Sequence, residues 1–221
     1  MNKPVLLDLF CCAGGSAMGY SRAGFEVVGV DVKPQPNYPF EFHQADWREY
    51  FEEHYLRFDA FHASPPCQGY SVTKSLSKSK SPKLIAEVRS MLQMTGKPYV
   101  IENVKGAFQA MVNPITLRGN MFGLQVIRDR LFEIEPFILS SPLIPVEGST
   151  GSHRGPSRLA NGGYITVTGN NFLVDEARKA MGIDWMTGKE LAQAIPPAYT
   201  EWIGNQLMST CFREFCLLEV A

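Results

Sequence analysis

Short apolar runs that alternate with helical segments constrain the fold of this chain more than any other feature of its sequence. The runs have the length and composition of buried strands and lie at residues 5–10, 26–31, 58–63, 99–104, 130–134 and 164–168. Between the third and fourth runs, apolar residues at helical spacing extend from Leu84 to Leu92, and Gly96 and Pro98 end that helix. Strands that alternate with helices predict an α/β fold with a doubly wound, mostly parallel sheet.

Two stretches interrupt this alternation. Residues 73–83 are polar and lysine-rich, which predicts a mobile loop. Residues 135–163 are rich in proline and glycine and are too long for a simple connection, so we expect a segment that is either functional or disordered. After it, the sequence predicts a helix at 171–181, a helix opened by a capping box of Thr187 and Glu190, and a last helix from Pro196 onward.

Length and composition favour one globular domain. The 221 residues, of which 45% are apolar and 19% charged, suffice for a sizeable core. Asp8 interrupts the N-terminal apolar stretch, which argues against a signal peptide, and no apolar run approaches the ~18 residues of a membrane helix. The five cysteines have neither a disulfide pattern nor a zinc-binding spacing. We therefore expect a cytoplasmic protein with no metal and no membrane partner.

The charge distribution is uneven although the formal net charge is only −1. Residues 65–86 contain four lysines and no acidic residue, and residues 140–160 contain Arg154 and Arg158 against a single glutamate. Each basic stretch is explained by a solvated loop or by a surface that contacts phosphates.

A glycine turn follows the first predicted strand, because residues 8–15 have the sequence DLFCCAGG. A turn of this kind at a helix start presents backbone N–H groups and the positive end of the helix dipole to an anion. Asp31 ends the second strand, where nucleotide-binding α/β proteins place a carboxylate for ribose hydroxyls, although the strict dinucleotide-binding spacing is absent. Asp46 suits an adenine amino group or a helix cap equally.

A second candidate site follows the third predicted strand. Cys67 comes directly after Pro65 and Pro66, which hold it rigidly at the carboxyl end of the strand. A lowered thiol pKa at that edge would make Cys67 a nucleophile, and a simply packed cysteine is the alternative.

Charged residues also mark the two later strands. Glu102 lies in an apolar strand, where a carboxylate must be paired or partly protonated, and a raised pKa would suit a general acid. Arg128 and Arg130 enter the next strand. A capping carboxylate and exposed arginines are the alternative interpretations.

The motifs form a recognisable set when they are taken together. They occur in the order DLFCCAGG, VGVD, SPPCQGYS, VIENV and FGLQVIRDRLF. This order resembles the DNA cytosine-5 methyltransferases over about the first three fifths of the chain. The resemblance implies a Rossmann-like S-adenosylmethionine-dependent methyltransferase of the small, solitary kind carried by prokaryotes and phages. It divides the chain into a cofactor-binding and catalytic core at 1–134, a reduced target-recognition segment at 135–163, and a strand and helices at 164–221 that complete the core.

The resemblance also implies roles for individual residues. Cys67 would attack C6 of a cytosine flipped out of duplex DNA, and Glu102 would protonate N3, while Arg130 would bind O2 with support from Arg128. The residues that would hold S-adenosylmethionine are Phe10, Ala13, Gly14, Gly15, Asp31, Asp46 and Pro66. The residues that would contact DNA are Gln68, Ser71, Lys74, Lys78, Lys80, Arg154 and Arg158.

Two departures from the family pattern qualify these expectations. Cys12 stands where family members usually carry glycine, so we expect crowding or an unusual backbone angle in the turn. Residues 135–163 cannot build an independent core, so we expect a short or relaxed target sequence, or a partner chain that supplies specificity. The alternatives are a catalytically idle homologue that binds DNA or S-adenosylmethionine, and a cytosine-5 transferase that acts on RNA.

Overall fold

Strands and helices alternate along the chain in the computed structural model, which describes residues 3–70, 83–136, 163–170 and 172–212. The strands are β1 (Val5–Leu9), β2 (Glu26–Asp31), β3 (Glu41–Gln44), β4 (Ala60–Ala63), β5 (Tyr99–Asn103), β6 (Ile115–Leu117) and β7 (Arg130–Glu135). The helices are α1 (Gly15–Arg22), α2 (Trp47–His54), α3 (Ile85–Met94), α4 (Val174–Met181), α5 (Gly188–Leu191) and α6 (Pro197–Cys211).

These strands form one sheet in the order β3-β2-β1-β4-β5-β7-β6. The first five strands in that order are parallel, while β7 runs antiparallel to both β5 and β6. The predicted doubly wound, mostly parallel sheet is therefore confirmed. The chain reverses its direction across the sheet between β1 and β4, and ligands of such folds bind at the carboxyl ends of the strands at this point.

The structure differs from the sequence-based prediction at four elements. The sequence patterns predicted neither the helix α2 nor the strands β3 and β6, which are only four and three residues long. The strand predicted at 164–168 is wrong, because the described residues form no strand there, and Ile165 pairs with Val126 through an isolated bridge. Ile165 is nevertheless buried, since it packs with Val126 and Met181 in an apolar cluster beside the sheet. An apolar run therefore identified burial correctly and the secondary structure incorrectly.

The core lies on both faces of the sheet, because successive strand residues point to opposite sides. Leu7, Phe61 and Ile101 pack on one face, under α2 and α3. Leu6 and Val100 pack on the other face, under α1 and α6. The last helix thus packs against the first one and brings the C-terminal part of the described chain next to the glycine turn.

Candidate active site

The glycine turn after β1 has an unusual backbone. Phe10 and Cys12 have φ angles of 59° and 46°, in the left-handed region that residues with a side chain rarely adopt, and Gly14 has a φ angle of 79°. The unusual backbone angle that we expected at Cys12 is therefore present. Backbone strain of this kind persists only where the surrounding structure imposes it, and it is concentrated at ligand-binding sites.

Asp31 holds this turn from the end of β2. Its carboxylate accepts hydrogen bonds from the backbone N–H groups of Cys12 (3.1 Å) and Lys33 (2.9 Å). Helix α1 begins directly after the turn, and no side chain caps its first turn. Its first residues, Gly15 and Ser16, line a cavity, so the positive end of the helix dipole borders that cavity.

This cavity, of about 210 Å³, brings the separate motifs together. Its lining includes eight of the residues predicted from the sequence: Phe10, Ala13, Gly15, Pro66, Cys67, Gln68, Glu102 and Arg130. Four other predicted residues are described by the structure but do not line it: Gly14, Asp31, Asp46 and Arg128. The glycine turn and the Pro-Pro-Cys segment meet here because β1 and β4 are neighbouring parallel strands.

Cys67 lies half-buried in a short 3-10 turn (Cys67–Gly69) after β4. The side chain of Asn103 donates a hydrogen bond of 2.9 Å to the carbonyl oxygen of Pro65 and so attaches this segment to β5. Burial raises the pKa of the Cys67 thiol and the negative charge of Glu102 raises it further, while the positive charge of Arg130 opposes the rise. The direction of this shift is opposite to the lowered thiol pKa that would by itself make Cys67 a nucleophile.

Glu102 and Arg130 form an ion pair between the adjacent strands β5 and β7. Arg130 Nε lies 3.0 Å from Glu102 Oε1, and both side chains are largely buried. Burial raises the pKa of Glu102, although Arg130 and a hydrogen bond from Ser64 act in the opposite direction. The direction of this shift agrees with the expectation for a general acid.

Arg128 and Asp46 do not line the cavity. The buried guanidinium of Arg128 donates to the carbonyl oxygens of Val167 and Ala192, the latter over 2.8 Å, and burial lowers its pKa to about 9. Asp46 caps α2 by accepting a hydrogen bond of 2.9 Å from the backbone N–H of Arg48. The support of a substrate by Arg128 and the adenine contact of Asp46 stay predictions.

Residues that no motif revealed complete the cavity. They come from the segment between α4 and α6 and are Met186, Ala192, Gln193, Ala194 and Ile195. Trp185 in the same segment donates its indole N–H to the carbonyl oxygen of Ala13 over 2.9 Å. Gly15 packs so closely that an added Cβ would lie 2.4 Å from the carbonyl oxygen of Ile195. No local pattern could identify these residues, because their partners are far away in the sequence.

Most of the predicted nucleic-acid contacts lie outside the described residues. These are Ser71, Lys74, Lys78, Lys80, Arg154 and Arg158, together with nearly all of the segment 135–163. Gln68 is described, and it is exposed at the cavity beside Cys67. Within the described ranges, no three His, Cys, Asp or Glu side chains are grouped as metal ligands. In that same part of the chain, every helix is too short or too polar to cross a bilayer.

Comparison with known sequences identifies matches over about half of the chain. The family model of the C-5 cytosine-specific DNA methylases matches residues 5–115. The type II methyltransferase M.FnuDI of Fusobacterium nucleatum is 33% identical over 111 residues, which are 46% of this chain and 32% of that protein. The type II methyltransferase M.XorII of Xanthomonas oryzae pv. oryzae is 29% identical over 124 residues, which are 48% of this chain and 29% of that protein. The matched segment thus spans about a third of these relatives.

Solved structures resemble the whole described fold. A candidate DNA modification methyltransferase encoded within an E. coli prophage matches with a TM-score of 0.67 at 15% identity, covering 94% of this chain and 99% of that one. The methyltransferase EhMeth of Entamoeba histolytica matches with a TM-score of 0.64 at 16% identity, covering 96% and 99%. The S. pombe Dnmt2 methyltransferase matches with a TM-score of 0.59 at 12% identity, covering 94% and 99%. At these identities the structures establish the Rossmann-like methyltransferase fold.

Proposed function

The chain belongs to the C-5 cytosine-specific DNA methylase family, and from this premise we propose that it transfers a methyl group from S-adenosylmethionine to C5 of a cytosine in duplex DNA. One observation carries the proposal: Cys67, Glu102 and Arg130 line a single cavity together with the glycine turn. A nucleophile, an acid and a cation are thereby available to one bound base.

These three side chains match what addition to a pyrimidine requires. C6 of cytosine accepts a nucleophile only when the negative charge that moves onto N3 and O2 is neutralised. Cys67 forms a sulfur bond to C6, Glu102 gives a proton to N3, and Arg130 donates a hydrogen bond to O2. The electron pair is then available at C5, which takes the methyl group. The methyl donor leaves as a neutral thioether. Loss of the C5 proton to water, elimination of the Cys67 thiolate and return of the N3 proton to Glu102 then restore the aromatic ring.

The charge balance of the site couples Cys67 to Glu102. The Glu102 carboxylate raises the pKa of the thiol, so protonation of Glu102 removes one cause of the rise. A protonated Glu102 and a thiolate at Cys67 therefore favour each other, and this is the pair of charge states that the addition needs. Arg130 stabilises the thiolate in either case.

The glycine turn suits S-adenosylmethionine, which supplies an electrophilic methyl group on a sulfonium centre. The amides at the start of α1 have no side-chain cap and fit its carboxylate. Asp31 stands where ribose hydroxyls bind in this class of fold. Its two oxygens each accept one backbone N–H group, and each has the capacity for another hydrogen bond. Phe10, Ala13 and Pro66 would line the remaining surface.

Duplex DNA can reach Cys67 only as a base that has left the helical stack, because the reacting carbon is covered by neighbouring bases. The segment 135–163 is the part of the chain available for sequence recognition after β7. We therefore propose a short or relaxed target sequence, or specificity supplied by a partner chain. Mapping of the methylated sites by sequencing tests this point, and a single long target site would contradict it.

Product analysis tests the reaction itself. The protein is incubated with S-adenosylmethionine and unmodified duplex DNA, the DNA is digested to nucleosides, and 5-methyldeoxycytidine is measured by mass spectrometry. We expect product from the wild type and none from Cys67→Ala. Cys211→Ala, which removes a thiol at the end of α6, should give the wild-type yield.

Three outcomes would overturn the proposal. Product from Cys67→Ala would exclude this cysteine as the nucleophile. Intact cofactor binding without product on any nucleic acid would indicate an idle homologue, and product on tRNA alone would indicate an RNA substrate.

A further inference from the structure

A row of buried polar side chains connects α1 to Glu102. Tyr20 Oη lies 3.0 Å from His62 Nδ1, and His62 Nε2 lies 3.0 Å from Ser64 Oγ. The Ser64 hydroxyl in turn forms a hydrogen bond with Glu102. We call Tyr20, His62 and Ser64 the polar network. It runs from the helix that covers the sheet, through the central strand β4, to the wall of the cavity.

Packing alone does not explain the polar network. Tyr20 and His62 are fully buried, and the apolar neighbours in their cluster include Leu6, Ala60 and Val100. Burying an imidazole and a phenol costs free energy unless their hydrogen bonds are made, and apolar side chains of similar size avoid that cost. Here the hydrogen bonds are made, and the row ends at the carboxyl group that the reaction uses.

The number of donor hydrogens on each side chain decides which partner donates in each hydrogen bond of the polar network. Burial lowers the pKa of His62 to about 3, so its imidazole is neutral and offers one donor and one acceptor. Ser64 has one hydroxyl hydrogen, which it donates to the Glu102 carboxylate. His62 must then donate from Nε2 to Ser64 and accept at Nδ1 from the Tyr20 hydroxyl. Every hydrogen of the polar network therefore points toward Glu102.

We propose that Ser64, oriented by His62 and Tyr20, is the positioning residue that fixes the Glu102 carboxyl group for proton transfer to the cytosine. The inference rests on the proposed function. Ser64 donates to the Glu102 carboxylate, while Arg130 Nε pairs with Oε1. The carboxyl group is thereby held by two partners, which restricts its rotation. His62 matters because it occupies a lone pair of Ser64 and so orients the hydroxyl hydrogen.

Other groups near Glu102 also influence its titration. The charged or titratable groups that act on it from the surrounding elements are Arg130 and Arg128 on or before β7, Cys67 after β4, Asp8 on β1, and Cys12 in the glycine turn. All of them stay in place when Ser64 or His62 is replaced. A change in the Glu102 titration in those variants therefore reports the lost hydrogen bonds.

Carbon NMR measures this titration without any turnover. The protein is labelled at the glutamate side-chain carboxyl carbon, and the signal missing from Glu102→Gln identifies Glu102. In Ser64→Ala we expect the Glu102 pKa to rise by about half a unit to one unit, because a stabilising donor to the charged form is lost. We expect a smaller rise in His62→Phe and Tyr20→Phe, and a wild-type value in Ser64→Thr, which keeps the hydroxyl.

Thr95→Ala is the matched control for lost stability. It removes a side-chain hydrogen bond of 2.7 Å to the Leu92 carbonyl at the end of α3, away from the cavity, and should leave the Glu102 pKa unchanged. A wild-type Glu102 pKa in folded Ser64→Ala would overturn the inference. If Ser64→Ala does not fold, an unshifted Glu102 pKa in both His62→Phe and Tyr20→Phe would overturn it.

Single-turnover methyl transfer at varied pH supplies the functional readout. The limb of the rate profile that Glu102→Gln abolishes should move to higher pH in Ser64→Ala by the same amount as in the NMR titration. A change in KM alone would assign Ser64 to substrate binding and contradict the positioning role. A wild type without any methyl transfer would refute the proposed function, and the NMR result would still decide whether the polar network sets the Glu102 titration.

Discussion

Trp185 donates its indole N–H to the backbone carbonyl oxygen of Ala13 over 2.9 Å, and this bond joins residues 172 positions apart in the sequence. It attaches the segment before α5 to the glycine turn after β1. Arg128 donates a hydrogen bond to the carbonyl oxygen of Ala192 and so holds the chain directly after α5. The cofactor side of the cavity therefore depends on long-range contacts as much as on the glycine motif.

Replacement of Trp185 by phenylalanine should weaken the binding of S-adenosylmethionine. The variant keeps an aromatic ring and loses one hydrogen bond, so we expect Kd to rise about 2- to 10-fold. Calorimetric titration measures the change. Trp202→Phe is the matched control. Trp202 lies on α6, packs edge-on against Phe122 and does not line the cavity. Equal Kd values for the wild type and Trp185→Phe would show that the bond does not hold the turn for ligand binding.

The reactivity of Cys67 should respond to the charge of Glu102. Because the Glu102 carboxylate raises the pKa of the thiol, Glu102→Gln should shift the alkylation of Cys67 by iodoacetamide to lower pH. Peptide mass spectrometry follows each cysteine separately, and Cys211 in the same samples serves as the internal reference. A Cys67 profile that stays in place, or one that moves to higher pH, would contradict the charge coupling.

Asp8 should make the protein less stable as the pH rises. Its side chain is fully buried with one oxygen unpaired, and burial raises its pKa to about 8. The folded state therefore binds this proton more tightly than the unfolded state, and stability is lost as the pH increases from the unfolded value through about 8. We expect Asp8→Asn to reduce the difference in Tm between about pH 6 and about pH 9.

The control for this prediction is Asp175→Asn, whose side chain is 89% exposed. It should keep the wild-type pH dependence. An Asp8→Asn protein with the same slope of Tm against pH as the wild type would exclude Asp8 as its source.

The buried ion pair of Arg89 and Glu133 should contribute strongly to stability. The Glu133 carboxylate accepts hydrogen bonds from Arg89 Nη2 (2.6 Å) and from the backbone N–H of Val112 (2.8 Å). Glu133→Gln leaves the Arg89 charge largely buried without its counter-charge, and we expect a loss on the order of 3 kcal/mol in urea unfolding. Glu135→Gln, at an exposed position of the same strand, should change stability little. A similar loss of unfolding free energy in Glu133→Gln and Glu135→Gln would show that the Arg89–Glu133 ion pair is not important for stability.

The sequence predicted most of the cavity lining contributed by the glycine turn and by the ends of β4, β5 and β7, and little of the lining contributed by the segment between α4 and α6. Cys67 and Glu102 were found because each stands at or near the carboxyl end of an apolar run, and the carboxyl ends of parallel strands meet at one edge of the sheet. Trp185 and Ile195 were missed because their contacts with the turn cross most of the chain. The run at 164–168 was misassigned because burial, which its apolar residues indicate, does not specify pairing with a neighbouring strand.

The sequence by itself determined the alternation of most strands and helices, the residue types at the strand ends and, through these, the family. These properties are local, since they follow from side-chain periodicity and from short motifs. Only the tertiary structure decided that the Cys67 thiol has a raised pKa, that Glu102 pairs with Arg130, and that a buried histidine stands behind Ser64. Burial and the distance between charges set these properties, and both depend on residues that the fold brings together from distant parts of the chain.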